Sequence, residues 1–323
     1  MISLSTLMDY YYEFMYPELK TLEEKRLSIV AKLKKTIIVL IILGFGLCYF
    51  LIQGRFFIPL HAALLSAMLS FLIYSFIYRN EIAGYKSLFK DQIIEKIIYF
   101  INPSLAYDKT NYIEEEAFAH SGIFAQDYDR YSGNDLVYGA IDGVNIRFSS
   151  LHVEKKQSDK NGKEEWHTLF QGLFFVVDFN KNFKGKTFIF PDFAERTLGI
   201  FGAWIQKLNV SVSKGELIKL DHSEFEKLFV VYGDDQIESR YILSHALMER
   251  IVDFQHKTGK QLSLSFIHSK MYLCIDYKKE LFEPILSKSL LEFAHIKDYF
   301  ELLALFIGVV DTFKLNEKIW SKR

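Results

Sequence analysis

Lys184-Gly185-Lys186-Thr187 has the letters that close a phosphate-binding loop, in which backbone N–H groups and a lysine cradle phosphate oxygens. The position that should hold the first glycine is Asn180, and the segment lies in a hairpin pattern instead of between a strand and a helix, so nucleotide binding is not expected. The nine histidines, among them His222, His245, His256 and His268, are scattered without a His-Glu-x-x-His pair or a paired Cys/His spacing. No metal site and no cofactor is expected from spacing alone. Glu116 and His120 stand four apart, where a carboxylate can orient an imidazole as a base, although such pairs are common on solvated helices. Asp234-Asp235 follows Tyr232-Gly233 and precedes a helix; it offers cation binding or acid/base work, but aspartate there more often caps the helix. With no Gly-x-Ser-x-Gly elbow and no Gly-x-Gly-x-x-Gly loop, neither common hydrolase nor dinucleotide chemistry is indicated, and an enzyme assembled in three dimensions would draw first on Asp234, Asp235 and His268.

The elements that would hold these residues begin with an anchor. Residues 36–52 and 58–78 contain no Asp, Glu, Lys or Arg and approach or reach the length that crosses about 30 Å of hydrocarbon, with the short linker Gln53 to Phe57 turning the chain back. A pair of transmembrane helices is therefore expected. Lys25, Arg26, Lys32, Lys34 and Lys35 precede the first span and Arg79, Lys86 and Lys90 follow the second, against Arg55 alone between them, which places both termini in the cytoplasm. Ala62, Ser66 and Ser70 clear one face of the second helix, and Gly44 and Gly46 offer a facing surface. His61 reads as an interfacial side chain.

Half of the 323 residues are apolar and 16% aromatic, with 30 Phe and 19 Tyr, which is too hydrophobic for disorder. The net charge of −1 gives no reason to expect a nucleic-acid partner. Cys48 and Cys274 do not suggest a disulfide. Leu19, Leu22, Arg26, Ile29 and Leu33 continue the first helix into the cytoplasm over 1–35, and Ile82, Tyr85, Phe89, Ile93 and Ile97 form a matching stripe over 79–104, ended at Asn102-Pro103. The two should pair as a helical stalk, within one chain or as the seam of a homo-oligomer.

Residues 105–323 read as a cytoplasmic α+β domain. Alternation from Leu136, a turn at Asp142-Gly143, a mixed-charge loop Lys155 to Glu165, the run Trp166 to Phe179 and a return through Lys186 to Phe190 predict a four-stranded antiparallel meander. The later half alternates differently. Strands are expected at Leu217 to Leu220 and Leu228 to Tyr232, a capping box at Ser223/Glu226, and a helix from His245 to Lys257 stopped by Gly259. A hairpin turning at His268-Ser269-Lys270 and a long helix Leu290 to Phe313 close the chain.

The chain resembles a family of bacterial membrane proteins catalogued as domain of unknown function 3137, sometimes mislabelled galanin. Ser121-Gly122-Ile123-Phe124, YSGNDLVYG at Tyr131 to Gly139, FQGLFF at Phe170 to Phe175, Pro191-Asp192 and EFEKLFVVYGDDQIESRYILSHALMER at Glu224 to Arg250 carry the likeness, and His245 stands where similar proteins tend to have proline. The resemblance brings no catalytic residues. It implies a LemA-type coiled-coil membrane protein as a partner. The expected function is a membrane-anchored binding or scaffold module at the inner membrane, with a membrane-anchored enzyme assembled only in three dimensions as the alternative.

Overall fold

A computed structural model describes residues 4–53, 59–124, 127–158, 162–192 and 215–315. The chain divides into two compact units, 1–97 with 282–301, and 98–281 with 302–323.

The first unit is helical. After α1 (Leu4–Tyr10) and a π-helical stretch, Tyr11–Met15, α2 runs unbroken over Tyr16–Gln53 and α3 over Pro59–Phe89, followed by α4 (Glu95–Ile101). The continuation of the first apolar run into the preceding stripe is thus a single helix. Among the described residues one helix, at the N-terminus, is long and apolar enough to cross a membrane. Most of the expected linker Gln53 to Phe57, and the side chains of Ala62, Ser66 and Ser70, lie outside the described residues.

α2 and α3 pair through the Lys32–Glu81 ion pair at 2.8 Å and the Tyr78 hydroxyl, which donates to the carbonyl of Lys32 at 3.2 Å. The two predicted stripes are buried: Leu19, Leu22 and Ile29 on α2, Tyr85 and Phe89 on α3, and Ile93 and Ile97 beyond. Residues 282–301 are held to these helices by a buried ionic cluster. Glu23 takes two hydrogen bonds from Arg26, at 2.8 and 2.6 Å, and further ones from the Leu290 amide and the Ser289 hydroxyl, while Arg26 donates to the carbonyl of Leu286. Lys90 pairs with Glu283 at 3.0 Å. A buried charge is tolerable only when its remaining donors or acceptors find partners, as the Glu23 carboxylate does with Arg26, Leu290 and Ser289.

Among the described residues the second unit is built on a nine-stranded, wholly antiparallel sheet. Its strands are β1 (Leu105–Asp108), β2 (Arg130–Ile141), β3 (Val144–Ser158), β4 (Glu164–Asp178), β5 (Lys186–Pro191), β6 (Glu216–Leu217), β7 (Phe229–Gly233), β8 (Leu262–Ile267) and β9 (Lys270–Asp276). They lie in the order β1-β2-β3-β4-β9-β8-β5-β7-β6. Asp142 and Gly143 at φ 48° and 80°, and His268 and Ser269 at φ 48° and 57°, turn the two tight hairpins with the positive backbone angles such turns need.

The strand expected at Leu217 to Leu220 is reduced to β6, and two expectations for the meander change. The return strand β5 does not join β4; β9 does, because Leu173 to Val177 are buried on both faces and require an apolar neighbour, which Met271 to Ile275 supply. The described part of the mixed-charge segment is largely strand, since β3 and β4 stay paired out to Ser158 and Glu164, with Lys156 and Glu164 in ion contact.

One sheet face carries α5 (Glu115–His120), where Phe118 packs among Phe124, Tyr131 and Phe174. The other carries α8 (His245–Thr258) and residues 302–315, through Phe306 and Phe313. The expected closing helix is split into α9 (Phe293–Ile307) and α10 (Val309–Thr312), with Gly308 between them. α8 follows two short helices, α6 (Ser223–Leu228) and α7 (Gln236–Ile242), and ends as predicted at Gly259, which adopts a left-handed φ of 58°.

Candidate functional site

Asp234 and Asp235 sit where β7 leaves the sheet for α7. The Asp235 carboxylate accepts from the amides of Ile237 and Glu238 at 2.8 and 2.9 Å and caps α7. Asp234 accepts from the Lys186 amide at 2.6 Å, and Glu238 accepts from Lys184 and Gly185 at 2.9 and 2.5 Å. The N–H groups of the Lys-Gly-Lys run therefore bind carboxylates of the same chain instead of phosphate. Gly185 is required for this, because a Cβ there would lie 2.5 Å from Asp234 and 2.6 Å from Glu238. Ser239 completes the joint by hydrogen bonding to Thr187 at 2.9 Å.

Removing Glu238 as Glu238→Ala leaves two amides without an acceptor. It is expected to cost about 1–3 kcal/mol in denaturant unfolding. ATP should still not bind the variant; saturable ATP binding would revive the phosphate-loop reading.

His268 lies in the β8–β9 turn, and no described hydrogen bond joins it to either aspartate. The ring of His120 contacts the backbone carbonyl of Glu116 at 2.7 Å, not its carboxylate. Neither pair assembles acid/base geometry.

A shallow cleft of about 30 Å³ opens at the start of α8, lined by Lys181, Ser244, Arg250 and Lys314. Lys181 spans it to donate to the carbonyls of Tyr241 and Ile242 at 3.0 and 3.3 Å, and burial pushes its ammonium pKa down. Its charge is spent on the end of α7, as a lysine at a helix C-terminus favours.

The fold also gathers side chains that spacing did not. His222, His245 and Glu249 bring one donor atom each to within 4.8 Å of one another. His245 Nε2 is 3.5 Å from Glu249 Oε1, one helical turn on, and its ring lies 4.6 Å from that of His222 at a tilt of 31°. His222 takes the cap position expected of Ser223: its Nδ1 accepts from the Phe225 amide at 3.2 Å, while Glu226 reaches the Leu220 amide at 2.9 Å. The His222 Nε2 atom is buried with no hydrogen-bond partner. The i, i+4 spacing of His245 and Glu249 was visible in sequence; their meeting with His222 depends on how α6 packs on α8.

Residues 168–315 match the family described as "Protein of unknown function (DUF3137)", which bears out the resemblance read from sequence. No curated protein matches the chain significantly. Among solved structures, the crystal structure of the mycobacterial trehalose monomycolate transport factor A, TtfA, aligns at a TM-score of 0.31 and 8% identity over 68% of this chain and 95% of that one, a likeness too loose to bear on function.

Proposed function

We propose that the chain is a membrane-anchored binding module. Its helices α2 and α3 cross the bilayer as a hairpin through 36–52 and 58–78, both termini stay in the cytoplasm, and residues 105–323 present a binding domain at the inner membrane. The observation that carries this reading is a change of exposure along one helix. Over Leu19 to Ile29 the apolar face of α2 is buried, whereas farther on Ile38, Ile42, Phe45 and Phe50 stand 59%, 64%, 75% and 65% exposed. On α3, Leu64, Met68 and Phe71 are likewise exposed. Apolar surface of this extent requires lipid or a partner.

Binding is favoured over catalysis because the two aspartates that sequence offered for chemistry are occupied. Asp234, Asp235 and Glu238 serve backbone amides, and the stretch Tyr232 to Ser239 joins β7 and α7 to the start of β5. A LemA-type membrane protein is the partner the resemblance points to, with a second copy of this chain as the competing occupant.

Topology is the direct test. A reporter active only in the cytoplasm, fused after Arg323, should be active, and one active only in the periplasm silent. The reverse pattern overturns the orientation. Co-purification of the full chain with no membrane protein, together with turnover of a small substrate, would favour the enzyme instead.

A further inference from the structure

We propose that His222, His245 and Glu249 bind a first-row transition-metal ion of the zinc class. The set is two imidazoles and a carboxylate, ligands that suit zinc and leave its fourth position to water. The inference does not depend on the membrane reading.

The geometry is close to what an ion needs. Zn–N and Zn–O bonds of about 2.0–2.1 Å in a tetrahedron put neighbouring donors roughly 3.3–3.4 Å apart. The His245–Glu249 pair already stands at 3.5 Å, and the whole set lies within 4.8 Å. The side chains of His245 and Glu249 are 67% and 60% exposed, so small rotations toward His222 meet no packing. They also project from successive turns of α8, where Gly259 and the buried residues Leu247, Ile251 and Phe254 fix the helix.

His222 supplies the independent sign. A neutral imidazole has one lone pair and one N–H. Because Nδ1 accepts from Phe225, the proton sits on Nε2, which is the buried atom without a partner. Coordination through Nε2 moves the proton to Nδ1 and releases the Phe225 amide; coordination through Nδ1 displaces that amide directly. Either way the ion replaces the cap of α6, so binding is coupled to the start of that helix. Nearby, His256 and Glu224 stand 3.5 Å apart as a separate pair and serve as an internal control.

The test uses the full chain in detergent micelles, without a polyhistidine tag. One equivalent of Zn²⁺ should bind, Co²⁺ should give the strong visible absorption of a tetrahedral site, and hydrogen exchange at the Phe225 amide should rise on binding. His245→Ala and Glu249→Gln should each weaken Zn²⁺ beyond the roughly 10–100-fold that loss of an outer-shell partner costs. His222→Asn removes the imidazole but keeps a side chain that caps well, so its loss of affinity is not a loss of fold. His256→Ala should bind as the parent does. Absence of zinc uptake by the parent chain overturns the proposal, as does an affinity within tenfold of the parent in any of the three ligand variants.

Discussion

Truncating Phe306 to alanine is expected to be among the most damaging single changes in the second unit, at about 3–5 kcal/mol. Phe306 is fully buried, and its ring meets those of Phe148, Phe175 and Tyr277 edge-on at 6.3, 6.0 and 5.9 Å. It therefore joins α9 to β3, β4 and the end of β9 at once. Its removal leaves a cavity that these fixed strands cannot close, and forfeits edge-to-face ring contacts as well. Thermal unfolding of the full chain in detergent, read beside the surface change Ile237→Ala at a position 82% exposed, measures it. Equal midpoints for the two variants would mean that the chain end contributes nothing to the core.

The second large effect lies in the helical unit. Glu23→Ala leaves the Arg26 guanidinium buried without its partner and strips an acceptor from the Leu290 amide, for an expected loss of about 3–5 kcal/mol. Replacing both residues together, as Glu23→Leu with Arg26→Met, should cost much less, because no uncompensated charge remains. Hydrogen exchange over residues 282–301 reports the loss locally. If single and double variants exchange alike, the ion pair is not what holds that segment.

The same contact makes the unit acid-sensitive. The hydrogen bonds from Arg26 are the main force holding the Glu23 carboxyl below its ordinary value of 4.5; burial opposes them, and the Leu290 amide and Ser289 hydroxyl add to them. A carboxyl whose folded pKa is depressed stabilises the fold fully above its unfolded value. That contribution is lost as pH falls from about 4.5 through the lower folded value, as the carboxyl is protonated. Protection of residues 282–301 should therefore fade in that window, and Glu23→Ala should flatten the fading.

Local pattern made much of this molecule readable from its residues. Period and charge located both apolar runs, the stripes of α2 and α3, the Asp142-Gly143 and His268-Ser269 turns, and the Gly259 stop of α8, because each is decided by residues within a turn or two of one another. Capping by Asp235 was legible for the same reason. Which strand lies beside β4 was not, since β5 and β9 are both apolar and antiparallel pairing accepts either; tertiary burial of Leu173 to Val177 made the choice. Nor was the assignment of 282–301 to the helical unit, which rests on Glu23 and Arg26 finding backbone groups far along the chain. The grouping of His222 with His245 and Glu249 is of this second kind: helical spacing supplies two of the donors, and only the packing of α6 against α8 brings the third within reach.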